Sequence, residues 1–340
     1  MEGRNSAHPL LRGGRPPYPH SFSFAEMESL AALCDTFIPS KNNCNDFESI
    51  SGSQYGMPAH MAGLIEKHCP RAAVIMARCV LLCLYTRLGT LLLCGTQSLS
   101  KASPFPSLQN FAAIPLHVRE KILLRWSLGT ASIFDPIFQL IFKTFKTCCV
   151  FSFYSRADES GWNPSWKAIG YSPPYIPKPE TETRALDGGI IDASSVNDAA
   201  LQRFLGDAGF EISREIGEQN LWKVKCDCVV VGSGAGGGVA AGKLAGAGFR
   251  VLVVEKGKYF AGGDLSLIEG PSMDQMYARG GLLATTDAKV SVLAGATVGG
   301  GSAINWSACI RTPPHVLREW ANNEGLSLFQ SQEYELAMSE

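Results

Sequence analysis

The sequence predicts an α/β domain in its C-terminal third, preceded by a mainly α-helical N-terminal region. Three observations predict this: a short apolar strand that runs into a glycine-rich turn, a second apolar strand that ends in an acidic residue, and helix-period apolar segments in the first half of the chain. We expect a flexible tail over residues 1–20, a helical and apolar region over residues 21–220, and the α/β segment over residues 221–340.

The composition narrows the classes of partner. The chain has 340 residues and a formal net charge of −1, so neither nucleic acid nor an acidic surface is indicated as a partner. Hydrophobic residues make up 46% and charged residues 18%, which favours extensive buried or membrane-contacting surface. The eleven cysteines show no metal-binding or disulfide spacing, which predicts buried free thiols in a reducing compartment.

The helical region has one clear start signal and one ambiguous apolar segment. Ser23 followed by Glu26 fits a capping box, and Pro39 predicts the end of that helix. Residues 73–95 are apolar and long enough to cross a bilayer, but Arg87 lies near their middle. A central arginine costs about 2.5–3.5 kcal/mol on insertion scales, and several leucines at roughly −0.5 kcal/mol each offset it. A spanning helix and a helix buried against protein both remain open.

A stripe of aromatic side chains predicts a further helix over residues 134–154. Phe134, Phe138, Phe142 and Phe145 fall on one narrow helical face. Such a stripe is more typical of a protein core than of a membrane contact. The apolar run at the end of the segment keeps a second interpretation open, in which this helix lies in a membrane interface.

The glycine-rich turn belongs to a predicted strand–turn–helix–strand unit of the Rossmann-like type. An apolar strand over Cys228–Val231 precedes the turn, and a helix of small residues follows over residues 236–246. A second strand over residues 250–254 ends at Glu255. Strands of a Rossmann-like sheet are joined by crossover helices in this way, so we expect the two strands to be parallel.

The residues of the turn each have a steric or electrostatic reason to be there. Gly232 allows a sharp turn, Gly234 lets the backbone touch a pyrophosphate, and Gly237 lets the helix pack closely on the strands. The helix N-terminus presents free N–H groups to phosphates, and a carboxylate at Glu255 can accept both ribose hydroxyls. The unit therefore predicts a dinucleotide site, with the candidate residues Val231, Gly232, Ser233, Gly234, Ala235, Gly236, Gly237 and Glu255.

A second glycine cluster lies at residues 295–306, after a predicted apolar hairpin with strands over residues 281–284 and 290–293 and a turn near Asp287. Consecutive glycines let this backbone approach a flat or charged ligand, and their N–H groups can form an anion-binding nest. Two glycine-rich elements suggest two contacts with one extended cofactor. The candidate residues of the second element are Val298, Gly299, Gly300, Gly301, Ser302 and Asn305.

Together these motifs resemble the glucose-methanol-choline (GMC) family of FAD-dependent oxidoreductases, and within it the plant long-chain fatty alcohol oxidases. In the α/β segment the resemblance rests on CDCVVVGSGAGGGVAAGKLAGAGFRVLVVEKG, GGLLATTD and GATVGGGSAINWSACIRTPPHVLREWA. In the helical region it rests on LAALCDTFIPS and NPSWKAIGYSPP. The resemblance therefore covers most of the chain.

The resemblance implies FAD as the cofactor. It places Gly232, Gly234 and Gly237 at the pyrophosphate and Glu255 at the adenosine ribose, with residues 298–305 extending towards the isoalloxazine. Some members of the family attach FAD through a histidine in the second loop. Because this chain has Gly300, Gly301 and Ser302 there, the expected attachment is non-covalent.

The reaction that the resemblance implies is oxidation of a long-chain fatty alcohol to its aldehyde, with O₂ reduced to H₂O₂. The expected partners are the alcohol, O₂ and membrane lipid, because a long apolar substrate partitions into membranes. The expected location is a membrane, on its intracellular, reducing side.

The expected catalytic groups of the family are not found among these residues. The catalytic histidine and its histidine or asparagine partner lie near the C-terminus of longer chains, so we expect this chain to be the N-terminal part of such an oxidase. We predict no catalytic residue and no metal ligand in it, and the six histidines are expected to be surface or structural. Two alternatives remain open: an NAD-dependent dehydrogenase, since the same turn serves NAD, and an inactive truncated product.

Overall fold

The computed structural model describes residues 18–40, 50–100, 107–129, 135–156, 162–172, 186–215, 221–285 and 289–339. Only the last three residues of the predicted flexible tail fall within these ranges. The chain divides into two compact units, residues 1–304 and residues 305–340, and each is described by itself.

Helices make up most of the N-terminal region, as the sequence predicts. They are α1 Phe24–Phe37, α2 Met57–His68, α3 Arg71–Tyr85, α4 Arg87–Cys94, α5 Leu116–Leu128, α6 Asp135–Ser155, α7 Pro164–Ala168 and α8 Asp198–Asp207. Two short strands, β1 Leu99–Ser100 and β2 Ser107–Leu108, pair antiparallel between α4 and α5. The core of this region is apolar and includes Leu30, Leu33, Leu81, Leu84, Phe111, Ile122 and Phe145.

The predicted capping box at the start of α1 is confirmed. The Ser23 hydroxyl accepts from the N–H of Glu26, and the Glu26 carboxylate accepts from the N–H of Ser23 at 2.6 Å. Glu26 is only 1% exposed, and Arg78 of α3 donates to it at 2.7 Å. Burial acts to raise the pKa of Glu26, but hydrogen bonds from Arg78 and Ser23 outweigh it and leave the pKa lowered. Glu26 therefore joins α1 to α3 as a buried carboxylate.

The apolar segment over residues 73–95 forms two helices, so the prediction of one continuous helix is wrong. α3 ends at Tyr85 because Thr86 adopts an extended conformation (ψ 147°), and its hydroxyl then caps α4 by accepting from the N–H of Gly89 at 3.1 Å. The chain bends by 111° between α3 and a second helical segment over residues 87–98, which consists of α4 and the 3₁₀ turn after it. Only together do these two segments have the length and hydropathy that a membrane span requires. No individual helix in the described ranges satisfies both.

The aromatic stripe of α6 lies against the core, which confirms the first of its two interpretations. Phe145 and Ile141 are buried. Phe138 stacks on Trp126 of α5 at 5.4 Å between ring centroids, and Phe142 meets a ring of α1 edge-on. Phe134 lies outside the described residues. Phe138 and Phe142 are partly buried against the core, so the described part of the stripe packs on protein.

The α/β segment contains the predicted βαβ unit. β5 Cys228–Val231 and β6 Val251–Val254 pair in parallel, with Cys228 opposite Val251, and α9 Ala235–Gly246 connects them. Every sheet among the described residues has two strands, so a wider Rossmann-like sheet is not seen in them. The predicted hairpin is formed by β7 Leu283–Ala284 and β8 Ser291–Val292, and its turn at Asp287 lies outside the described residues.

One hairpin was not predicted. β3 Glu211–Glu215 pairs antiparallel with β4 Leu221–Lys225, so its strands lie on either side of the boundary expected at residue 220. α10 Glu269–Met276 then follows the βαβ unit. In the second unit, α11 Pro314–Asn323 and α12 Gln332–Ala337 flank Phe329, whose ring meets Trp320 and Tyr334 edge-on at 5.0 and 5.2 Å.

α10 is joined to the helical region through Asp274. The carboxylate of Asp274 lies 3.2 Å from Nζ of Lys67 and 3.3 Å from Nε2 of His68, both at the end of α2. It also accepts a hydrogen bond from the hydroxyl of Tyr18. These contacts bring the C-terminal end of α2 against the α/β segment.

Candidate functional site

The first glycine turn has the geometry that the sequence predicts. Gly232 directly follows β5 with φ 93°, in the region that favours glycine, and its N–H donates to the carbonyl of Val254 at the end of β6 at 2.8 Å. A Cβ on Gly237 would overlap the carbonyl oxygen of Gly232 and lie 3.3 Å from a methyl group of Val230. α9 therefore packs closely against β5 because position 237 carries no side chain.

The second glycine loop touches the first through the backbone. Gly299 and Gly300 have φ 89° and 55°. A Cβ on Gly300 would lie 2.8 Å from Cα of Gly234, which is closer than side chains tolerate. The structure thus brings the two predicted elements together. The backbone at Gly234, just before α9, lies against the backbone at Gly300, which follows Gly299, and none of these three residues has a side chain. We call this feature the bare backbone strip.

Glu255 is fixed by three hydrogen bonds at the end of β6. Its Oε2 accepts from the N–H and from the hydroxyl of Ser233, each at 2.8 Å, and its Oε1 accepts from the N–H of Gly257 at 2.8 Å. Burial acts to raise the pKa of Glu255, but these bonds outweigh it and hold the pKa below the ordinary value. Glu255 is therefore an ionised acceptor at neutral pH, which suits hydroxyl groups such as those of a ribose.

Two supporting residues were missed by sequence reasoning. Thr297 is buried, and its hydroxyl donates to the carbonyl of Lys258 at 2.8 Å, while the N–H of Val298 donates to the same carbonyl at 3.0 Å. A Cβ on Gly257 would overlap the carbonyl of Ala296. These contacts attach the second loop to the segment after Glu255. Gly257, two residues after Glu255, was the only signal in the sequence for these contacts.

The remaining candidate residues lie in α9, in a short 3₁₀ turn, at the end of β5 and at the start of the second unit. Ala235 and Gly236 form the first turn of α9, and Gly301 and Ser302 belong to a short 3₁₀ turn, Gly300–Ala303. Val231, at the end of β5, is 85% exposed. Asn305 begins the second unit, where its side-chain oxygen accepts from the N–H of Ser307 at 2.9 Å.

The histidines, cysteines and acidic residues are the possible metal ligands within the part of the chain that the structure describes. No three His, Cys, Asp or Glu side chains in the described ranges are placed to hold a metal ion. His60 and His68 are buried in the helical region, stacked on or edge-on to the ring of Tyr18, and His117 and His315 lie in α5 and α11. Glu255 is the acid that the fold brings to the two glycine elements.

Two family models match the part of the chain that contains these residues. The model described as GMC oxidoreductase matches residues 273–340, and the model described as FAD binding domain matches residues 227–287. Together they cover the βαβ unit, Glu255 and the second glycine loop. No solved structure matches the chain.

Curated relatives from Arabidopsis thaliana extend the similarity to the helical region. Long-chain-alcohol oxidase FAO4B is 42% identical over 99% of this chain, and FAO4A is 41% identical over 92%. Long-chain-alcohol oxidase FAO3 is 40% identical over 92%. The chain spans 46%, 46% and 44% of these three relatives, which is less than half the length of each.

Proposed function

Because this chain belongs to the GMC oxidoreductase family, whose cofactor is FAD, we propose that it forms the FAD-holding part of a long-chain-alcohol oxidase. Oxidation of a long-chain alcohol is the activity named for the Arabidopsis relatives. It is a proposal for this chain, because the chain spans less than half of their length. The observation that carries the proposal is the backbone contact between the two glycine elements beside an ionised Glu255.

The residues present fit FAD. A pyrophosphate needs N–H donors and close backbone approach, which the N-terminus of α9 and the bare backbone at Gly234 and Gly300 supply. Glu255 would accept the adenosine ribose hydroxyls. We propose that the cofactor is held without a covalent bond, since positions 300–302 carry two glycines and a serine and no histidine or cysteine to attach a flavin.

When bound, FAD would supply the hydride acceptor for oxidation of the alcohol to its aldehyde and the reductant for O₂, with H₂O₂ as the second product. This chain's own residues would bind and orient the cofactor. No residue of the chain is assigned as the base that takes the hydroxyl proton.

Membrane contact is part of the proposal, as a long-chain alcohol is concentrated in lipid. The bent pair α3 and α4 supports it with exposed Ile75, Leu82, Leu88 and Leu92. Arg71 and Arg87 of this pair are exposed, whereas Arg78 is paired with Glu26, and residues 71–98 contain no acidic residue, which suits a negatively charged lipid surface. The ten described cysteines are all free thiols, which supports the proposed location on the intracellular, reducing side.

The test is a binding titration of the purified 340-residue chain with FAD, followed by flavin fluorescence and by the bound-flavin absorbance spectrum. We expect saturable FAD binding that excess NAD⁺ does not displace, with no peroxide formed from dodecanol. Displacement by NAD⁺ with no flavin spectrum would favour a nicotinamide-dependent dehydrogenase instead. Peroxide formation from dodecanol would show that the chain supplies its own base.

A further inference from the structure

The carboxylate of Asp274 on α10 is where side chains from two separate elements of the helical region meet. The hydroxyl of Tyr18, in the segment before α1, donates to its Oδ1, and Nζ of Lys67 on α2 donates to the same oxygen at 3.2 Å. Nζ of Lys67 also lies 4.1 Å from the centre of the Tyr18 ring, so the two donors hold each other in place. The Asp274 side chain is only 15% exposed, which makes its hydrogen bonds to a charged donor strong ones.

Packing places the rest of α10 closely against the helical region. A Cβ on Gly270, in the first turn of α10, would overlap the carbonyl oxygen of Ser155 at the end of α6. After the helix, Gly280 has φ 60°, and a Cβ there would lie 3.0 Å from Nε2 of His68. The start of α10 is therefore held by packing, whereas Asp274 fixes its C-terminal half relative to α2.

The C-terminal end of α10 is paired with the segment that enters the second glycine loop. The N–H of Ala296 donates to the carbonyl of Met276 at 2.7 Å, and the N–H of Ala278 donates to the carbonyl of Ala294 at 2.8 Å. These two bonds form an antiparallel bridge. A movement of the end of α10 would therefore move residues 294–296 with it.

This segment leads directly to the bare backbone strip. A Cβ on Gly295 would lie 2.3 Å from the carbonyl group of Gly300, so the loop folds back tightly on the segment that α10 holds. The N–H of Gly300 donates to the carbonyl of Thr297 at 2.8 Å, and Gly300 is the residue that lies against Gly234. Direct contacts thus connect α2, through Asp274 and α10, to the proposed pyrophosphate site.

We propose that Asp274 is a positioning residue for cofactor binding. It fixes the end of α10 against α2, and α10 in turn holds the second glycine loop at the distance from Gly234 that a pyrophosphate needs. A loop that is already held in place loses less conformational entropy when a ligand binds, which improves affinity. The inference rests on the proposed function and deepens it, because the helical region would contribute to FAD affinity through α10.

The first measurement is hydrogen exchange of the cofactor-free 340-residue chain, followed by mass spectrometry of peptic peptides. Asp274→Asn keeps the size of the side chain and removes its charge. We expect the amides of residues 294–300 to exchange at least about fivefold faster than in the parent chain, because the loop opens more often. The amides of α1 should keep the parent rate, which shows that the fold is retained. Glu269→Gln, which changes an exposed acid on the same helix, is the matched control and should leave residues 294–300 unchanged.

The second measurement is the titration with FAD. Asp274→Asn and Lys67→Met should each raise the Kd by at least about fivefold. The double variant should bind little more weakly than either single variant, because both substitutions remove the same ion pair. Lys67→Arg keeps the charge and should retain the parent affinity. The Lys67 side chain is 48% exposed, so its replacement leaves the core packing in place and tests the ion pair itself.

The two measurements separate this inference from the proposed function. A parent chain that binds no FAD would refute the proposed function, whereas hydrogen exchange at residues 294–300 needs no cofactor and still decides the role of Asp274. The inference is overturned if these amides exchange at the parent rate in Asp274→Asn. It is also overturned if Lys67→Arg binds FAD as weakly as Lys67→Met.

Discussion

The hydroxyl of Ser233 joins the two glycine-rich elements: it accepts a hydrogen bond from the N–H of Gly299 at 3.1 Å and donates one to Glu255 at 2.8 Å. Ser233 and Gly299 are 66 positions apart in the chain. One small side chain in the first turn thus sets both the position of the second loop and the orientation of the acid at the end of β6.

Replacing Ser233 with alanine should weaken FAD binding while leaving the fold intact. The change leaves the N–H of Gly299 without its acceptor and removes one donor from Glu255, and each unpaired polar group costs about 1–3 kcal/mol. We expect the Kd for FAD to rise by about tenfold or more, since about 1.4 kcal/mol corresponds to a factor of ten. Ser233→Thr, which keeps the hydroxyl, should retain most of the affinity in the same flavin-fluorescence titration. Equal affinity of the alanine variant and the parent chain would contradict the role given to Ser233.

A bulky residue at Gly234 should abolish FAD binding. A side chain there would fill the bare backbone strip where Gly234 faces Gly300, so a pyrophosphate could no longer approach. The measurement is the flavin absorbance retained by Gly234→Val after desalting. Gly242→Val is the control, because Gly242 lies on the same helix and a Cβ there would meet no neighbouring atom within 4 Å. Flavin retained by the Gly234 variant would show that this turn is not the pyrophosphate site.

The buried Glu26–Arg78 pair should make the helical region sensitive to acid. The pKa of Glu26 is lowered in the folded chain, so its stabilising effect is present above the ordinary carboxyl pKa and is lost as pH falls through the folded-state pKa. Glu26→Gln should lower the free energy of unfolding by about 1–3 kcal/mol at pH 7. The difference from the parent chain should shrink on acidification, as measured by thermal unfolding at several pH values. Glu28→Gln on the same helix should have little effect, and a pH-independent difference for Glu26→Gln would refute the prediction.

The exposed leucines of α4 should determine binding to lipid vesicles. Each leucine that leaves water contributes up to about 1.5–3 kcal/mol, so a Leu88→Gln, Leu92→Gln double variant should bind at least about tenfold more weakly. Co-flotation with vesicles of phosphatidylcholine and phosphatidylserine measures the bound fraction, which should also fall as salt rises. A Leu326→Gln, Leu328→Gln double variant, which changes exposed leucines of the second unit, is the control. If both double variants float equally well, α4 is not the lipid-binding surface.

The sequence predicted correctly those features that depend only on residues close together in the chain. The capping box depends on Ser23 and Glu26, three residues apart, and the sharp turn at Gly232 depends on a conformation that glycine tolerates. The break at Thr86 was missed because hydropathy averages over a window and does not register a hydroxyl that can cap a new helix. The β3–β4 hairpin was missed because the polar stretch before β4 shows no strand-period apolar pattern.

The sequence by itself determined the βαβ unit, its glycines and the acid at the end of β6, because each follows from steric demands and hydrogen bonds among neighbouring residues. Only the tertiary structure decided that Gly300 lies against Gly234, that Ser233 bonds both Glu255 and Gly299, and that Arg78 donates to the buried carboxylate of Glu26. Such contacts join segments far apart in the chain, and they form only when the packing of whole helices and strands compensates the entropy lost in closing the loops between them.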